Sequence, residues 1–351
     1  MRLFKVLYSC MVIALAKNRA SIPVRPHKST GLKPLEDRPH FRNGRFHNRY
    51  STESHGAMQA IKWLPEFLLL KLPKVHFTVL QPDVAMLRAN RSQSNLTWIG
   101  HSTFLIQIAG LNIITDPVFS DRASPFSVVG PKRMAPPAMR YQDLPSLDIA
   151  LVSHNHYDHL DEKAVRRLAK DHPRLIFVVA LGLAQWFKRR GIHNVIELDW
   201  WQDTQVLGAK ISAVPVQHFS GRGAHDRNAS LWCGFIAEVA GKKIFFAGDT
   251  GYSKDFADIG ERFAPVDLAL IPIGAYEPRW FMRPVHVDPA EAVKIHQDLQ
   301  SRQSVAMHWG TFQLTAEPAD QPPKQLVSEL AAAGVDAEKF WVFKHGETRS
   351  F

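Results

Sequence analysis

The chain has 351 residues, is 45% hydrophobic and 22% charged, and carries a formal net charge of +10 with only 2 cysteines. That apolar fraction excludes a disordered protein, and Cys10 and Cys233 alone exclude a disulfide scaffold or a thiolate zinc finger. Any metal has to be held by nitrogen and oxygen, for which 17 histidines are an ample supply.

Positive charge concentrates at the start. Lys17 to Arg49 holds nine Lys/Arg against two acids, Glu36 and Asp37. Ahead of it, "MRLFKVLYSCMVIALAK" has basic residues, an apolar stretch and Ala14-Leu15-Ala16, the outline of a secretory signal or short anchor. Residues 1–50 therefore read as a basic leader and 51–351 as the folded domain. No ligand-type cluster lies in the leader, so it is expected to be dispensable for whatever chemistry that domain performs. Residues 60–75, "AIKWLPEFLLLKLPKV", read as an apolar helix with Pro65 in its first turn, either buried against the core or lying on a bilayer.

From residue 96 the pattern is regular. "LTWIGHSTFLIQIAGLNIITDP" alternates apolar and polar residues, breaks at Ala109-Gly110 and stops at Asp116-Pro117, which predicts a hairpin. Further strands are predicted at 148–153, 174–180, 209–217, 231–249, 267–274 and 304–309. Helices are predicted at 161–170, capped by Asp161, and at 289–300, capped by Asp288 with Pro289 at the first position and Ala292, Ile295 and Leu299 buried. This makes one mixed α/β domain behind a leader.

"SHNHYDHLD" leaves the strand that ends at Ser153. Alternate residues of an extended segment face one side, so His154, His156 and Asp158 converge, and His159 joins them as the chain turns. Neutral imidazoles and carboxylates are ligands that Zn²⁺ accepts. Three other predicted strands end in ligand-type residues: His218, Asp249 and His308. Ligands delivered from several strand ends suit a rigid floor with a site at one edge.

His-x-His-x-Asp-His with distant His, Asp and His resembles the metal signature of the metallo-β-lactamase superfamily. The resemblance implies an αββα sandwich of two mixed sheets flanked by helices. It implies two Zn²⁺ per chain: one on His154, His156 and His218, the other on Asp158, His159 and His308, with Asp249 bridging. "WIGHSTFLIQIAGLNIITDPVFSDRASP", "GPKRMAPPAM", "FFAGDTGY", "IPIGAYEPRWFMRPVHVDPAEAV", "MHWGTF" and "KHGETR" resemble the N-acylphosphatidylethanolamine-hydrolysing phospholipase D family. The likeness runs from about residue 96 to the end, with a looser echo at 43–46, where "HNRY" replaces the family's usual Asn-Pro-Trp type sequence.

The same resemblance implies release of an N-acylethanolamine and phosphatidic acid, after attack of a metal-bridging hydroxide on phosphorus. Asp249, Asp158 and His286 then carry the chemistry, and Tyr157 and His286 meet the substrate. His286 stands two residues before a helix cap, a place that suits anions. His101 and Asp116 read as supporting or turn residues. The expected partners are N-acylated phosphatidylethanolamine and a bilayer surface with peripheral association, with no nucleic acid and with a homodimer left open. A nuclease of the same superfamily and a regulatory zinc protein without turnover are the alternatives.

Overall fold

The computed structural model describes residues 34–50, 70–223 and 225–351. The first 33 residues and most of the predicted 60–75 helix lie outside them. From Leu70 to Val75 the chain has no regular structure, as Pro73 and the restriction it places on Leu72 require. No helix of the described residues is long and apolar enough to cross a membrane.

Strands of both sheets follow the chain almost in order. A short hairpin, β1 (Phe41–Arg42) and β2 (Arg45–Phe46), comes first. Its two-residue Asn43-Gly44 turn has both residues at positive φ, the turn that matches strand twist. The first large sheet contains β3 (Asn95–Gly100), β4 (Thr103–Ile108), β5 (Leu111–Thr115), β6 (Ile149–Val152), β7 (Ile176–Ala180) and β8 (Val195–Leu198). β16 (Thr348–Ser350) closes it at the β3 edge. The second runs β9 (Asp203–Val206), β10 (Ala209–Val214), β11 (Gly234–Val239), β12 (Lys242–Phe246), β13 (Leu268–Pro272), β14 (Gln303–Met307) and β15 (Phe340–Trp341). In each sheet antiparallel pairs give way to parallel ones, at β5–β6 and at β12–β13. The expected two mixed sheets are present, seven strands in each.

One apolar core joins them, with Trp98, Phe104, Phe177, Phe235 and Phe245 fully buried. Helices lie against the sheets: α1 (Val84–Ala89), α2 (Glu162–Asp171), α3 (Ala184–Lys188), α4 (Asp255–Phe263), α5 (Arg279–Met282), α6 (Pro289–Asp298) and α7 (Gln321–Ala332). The predicted caps form: Asp161 accepts from the amides of Lys163 and Ala164, and Asp288 from that of Glu291. Ala292, Ile295 and Leu299 are buried as the periodicity requires.

The first hairpin differs from its pattern. Alternation in β3 and β4 implies one wet face, yet every residue of both strands is buried. The polar members are satisfied inside: the Gln107 amide donates to the Leu87 carbonyl and to Asn112 Oδ1. The Leu87 carbonyl of α1 is one of the partners that let a polar side chain of this face lie inside, which a strand pattern cannot report.

Residues 38–50, grouped with the leader on sequence, are bonded to the sandwich. Buried Asp199 pairs with both Arg38 and His40, and Arg49 bridges Asp255 and Asp258. Asn48 donates to the His218 carbonyl and accepts from the His218 amide.

Candidate metal centre

All the ligand-type residues singled out from the sequence gather at one edge of the sandwich. β6 delivers residues 154–159, β10 leads to His218, β12 to Asp249 and β14 to His308. Getting there takes unusual backbone. His308, His101 and Asp116 all sit at positive φ, 60°, 56° and 28°, a costly region for residues with a Cβ that clusters at functional sites. Gly274 lets β13 pass against this turn: a Cβ there would lie 2.4 Å from the His308 carbonyl oxygen.

Two groups form around Asp249. In the first, His154 Nε2 lies 2.8 Å and His218 Nε2 3.3 Å from His156 Nδ1. Asp249 Oδ2 is 3.9 Å from His154 Nε2 and 3.7 Å from His218 Nε2. In the second, Asp158 Oδ2 lies 3.5 Å from His159 Nε2 and 3.4 Å from His308 Nε2. Asp249 reaches both of these histidines at 3.1 Å. Ligands on a tetrahedral ion with bonds near 2.1 Å stand about 3.4 Å apart, the spacing seen here.

Outer partners aim the rings. Asp116 accepts from His159 Nδ1 at 2.6 Å and from Ser153 Oγ at 2.6 Å. Ser153 Oγ, its own proton committed to Asp116, accepts from His154 Nδ1 at 2.9 Å. His218 Nδ1 donates to the Val285 carbonyl at 2.9 Å. Each of these bonds leaves an Nε2 lone pair pointing into the cluster, the usual way a protein fixes the tautomer of a ligand histidine.

The donor set itself asks for cations. His159 Nε2, His308 Nε2 and Asp249 Oδ1 are buried without a hydrogen-bond partner, a costly state unless something else meets them. Burial, then the neighbouring imidazoles, holds His154 well below its usual range. Burial also brings His156 and His218 down to about 3, so all three are neutral donors. Burial pulls on His159 too, but the Asp249 and Asp158 carboxylates outweigh it and hold it well above its usual range. Both carboxylates stay ionised against burial because of those histidines. Neutral imidazoles on one side and two carboxylates on the other fit a binuclear divalent centre.

Of the two supporting residues, Asp116 orients ligands as described. His101 stands closer than a turn residue needs to, with Nε2 3.0 Å from Asp158 Oδ2, and it falls within the second ligand group. His286 reaches the centre, its Nε2 4.0 Å from Asp249 Oδ2 and its Nδ1 buried without a partner. Burial brings it down to about 3. Tyr157 turns outward: its hydroxyl donates to the Arg222 carbonyl at 3.0 Å, and the Arg222 guanidinium lies 3.8 Å from its ring centroid. Arg222 also donates to the carbonyls of Asn155 and Leu160, bracketing the metal loop. Ser153, Asn48 and Arg222 are thus supporting residues with no motif to announce them.

Replacing Asp116 with Ala strands the protons of His159 Nδ1 and Ser153 Oγ while leaving every proposed ligand in place. The expected result is a loss of about 10- to 100-fold in metal affinity, measured by competition with a chelating dye.

Comparison with known proteins identifies the family. A model of the beta-lactamase superfamily domain matches residues 111–309. The chain is 43% identical over 257 residues to N-acyl-phosphatidylethanolamine-hydrolyzing phospholipase D 1 of Caenorhabditis elegans, covering 70% of this chain and 72% of that one. It is 38% identical over 308 residues to an uncharacterized protein of Mycobacterium tuberculosis, covering 85% and 80%. Among solved structures, a metallo hydrolase of Ignicoccus hospitalis shares the fold with a TM-score of 0.57 at 23% identity, over 74% of this chain and 99% of that one. The chain belongs to the metallo-β-lactamase superfamily, as a metal-dependent hydrolase related to the N-acylphosphatidylethanolamine-hydrolysing phospholipases D.

Proposed function

We propose that the protein is a zinc-dependent phospholipase D that hydrolyses N-acylphosphatidylethanolamine to an N-acylethanolamine and phosphatidic acid at a bilayer surface. The observation that carries this reading is the convergence of seven ligand residues and His286 on one sheet edge, in a chain 43% identical to a relative named for that activity. His154, His156 and His218 would hold one zinc, Asp158, His159 and His308 the other, and Asp249 both. Zinc so bound supplies an activated water at neutral pH and screens the charge of the phosphodiester.

The residues of the chain do the rest. Asp249 stands between the two histidine groups and keeps them in register. Asp158, held by His101, fixes the second group. Burial holds His286 neutral and its Nε2 stands 4.0 Å from Asp249 Oδ2, so it is placed to hydrogen-bond a phosphoryl oxygen at the centre. Its orientation is held from outside, where Arg279 donates to its carbonyl while pairing with Glu291. Tyr157 lines the approach to the loop.

The test is product analysis with defined substrates. Wild-type protein loaded with zinc should release N-acylethanolamine from N-acylated phosphatidylethanolamine and form phosphatidic acid in equal amount. Prior treatment with chelator should abolish both. Release of fatty acid instead, or preference for RNA over either phospholipid, would sink the assignment.

A further inference from the structure

Beside the metal loop lies a groove of about 1360 Å³ that the proposed hydrolysis does not use. One wall is the outer face of α2. Lys163, Arg166, Arg167 and Lys170 line it at spacings i, i+3, i+4 and i+7, a single stripe opposite buried Ala164, Val165 and Leu168. The facing wall includes Phe126, 60% exposed, in the segment after β5, and Val128, at the rim just past the lining, is 78% exposed. Arg122, Arg190 and Arg222 complete the cationic lining.

Three acids, Asp121, Asp161 and Glu162, stand among these cations, and the two on or next to α2 are already engaged. Asp161 caps α2 and accepts from the amides of Phe119 and Ser120, and Glu162 pairs with Arg190 and Arg166. Lys163 and Lys170 make no ion pair among the described residues. The groove reaches Tyr157, which stands between His156 and Asp158.

We propose that this groove docks the protein on an anionic phospholipid surface, the basic stripe of α2 meeting lipid phosphates while Phe126 and Val128 enter the headgroup boundary. The inference rests on the phospholipid reading above and names a surface for it. A bilayer rewards both features together, cations against its negative surface and apolar tips below it. Exposed Phe126 and Val128 would gain nothing from a nucleic-acid backbone, which favours the membrane over RNA. Docked in this way, lipid phosphates arrive beside the metal loop.

The experiment compares full-length wild-type protein with a variant carrying Lys163→Gln, Arg166→Gln, Arg167→Gln and Lys170→Gln. Each is sedimented with phosphatidylcholine vesicles, with and without phosphatidylglycerol. Juxtamembrane cations each contribute about fivefold to such binding. The variant should therefore lose at least about 100-fold in partition to anionic vesicles and change little on neutral ones, with the difference shrinking in high salt. Phe126→Ser should weaken binding to both kinds of vesicle by about tenfold. Cleavage of a soluble phosphodiester should be unchanged in both variants, which shows that the fold and centre survive.

Equal binding of the wild type and the fourfold variant to anionic vesicles overturns the proposal, as does loss of RNA binding without loss of vesicle binding. Failure of the phospholipid reading looks different: wild-type protein would then release no product from N-acylated phosphatidylethanolamine in detergent micelles, whatever the vesicle result.

Discussion

Asp249→Asn is expected to remove nearly all turnover, by about a thousandfold or more. Residues that only orient a ligand cost about 10- to 100-fold, and Asp249 is the group shared by both histidine clusters, 3.1 Å from His159 and His308 and under 4 Å from His154 and His218. The amide keeps the size of the side chain but loses the charge and one acceptor, so it bridges two cations poorly. Metal content measured by mass spectrometry should fall from about two ions per chain to one or fewer. The melting temperature in the presence of excess chelator should be nearly the same as wild type under the same conditions, because the difference lies in metal binding. Full activity in Asp249→Asn would exclude a shared-carboxylate centre.

The second large effect concerns the N-terminal segment. Deleting residues 1–33 should leave hydrolysis of a soluble phosphodiester little changed from wild type, since every residue gathered at the centre lies after them in the chain. Deleting residues 1–50 should not. That cut strands buried Asp199, which pairs with Arg38 and His40, and breaking a buried ion pair costs about 3–5 kcal/mol. It also removes the two hydrogen bonds by which Asn48 holds the backbone of His218. Soluble-substrate activity and the melting temperature should fall together in the longer deletion. Asn48→Ala separates the two contributions: its folding transition should move little, while metal affinity drops through the loosened His218. Equal activity of the two deletions would show that residues 34–50 do not support the centre.

Much of the centre was legible because its chemistry is local. His154, His156, Asp158 and His159 are close in the chain, and a strand leading into a turn is enough to bring them together. The distant ligands were legible from a weaker regularity: each follows an apolar run that the structure shows to be β10, β12 or β14. The caps at Asp161 and Asp288 follow the same logic, since a capping side chain bonds amides two or three residues away.

What escaped was everything carried by pairing across the chain. His101 reads as a supporting or turn residue in "WIGHST", and only the meeting of the first hairpin with the metal loop decides between the two by putting it 3.0 Å from Asp158. β8, β9, β15 and β16 were not predicted; two to four residues of edge strand have too little period to detect, and β16 exists because β3 offers it an unpaired edge. The polar positions that alternate along β3 and β4 are interior too, a burial that depends on partners such as the Leu87 carbonyl far from them in the chain.

By itself, then, the sequence determined the residue types of the candidate centre, their spacing and the strand ends that carry them, since side-chain chemistry and backbone period act over a few residues. The tertiary structure alone decided how those ligands are held. Asp116 reaches Ser153 and His159, Asn48 reaches His218 and Arg222 brackets the metal loop. These partners are tens to more than a hundred residues apart, and hydrogen bonds between such groups leave no trace in local pattern until packing of the two sheets has brought them within 3 Å or so of each other.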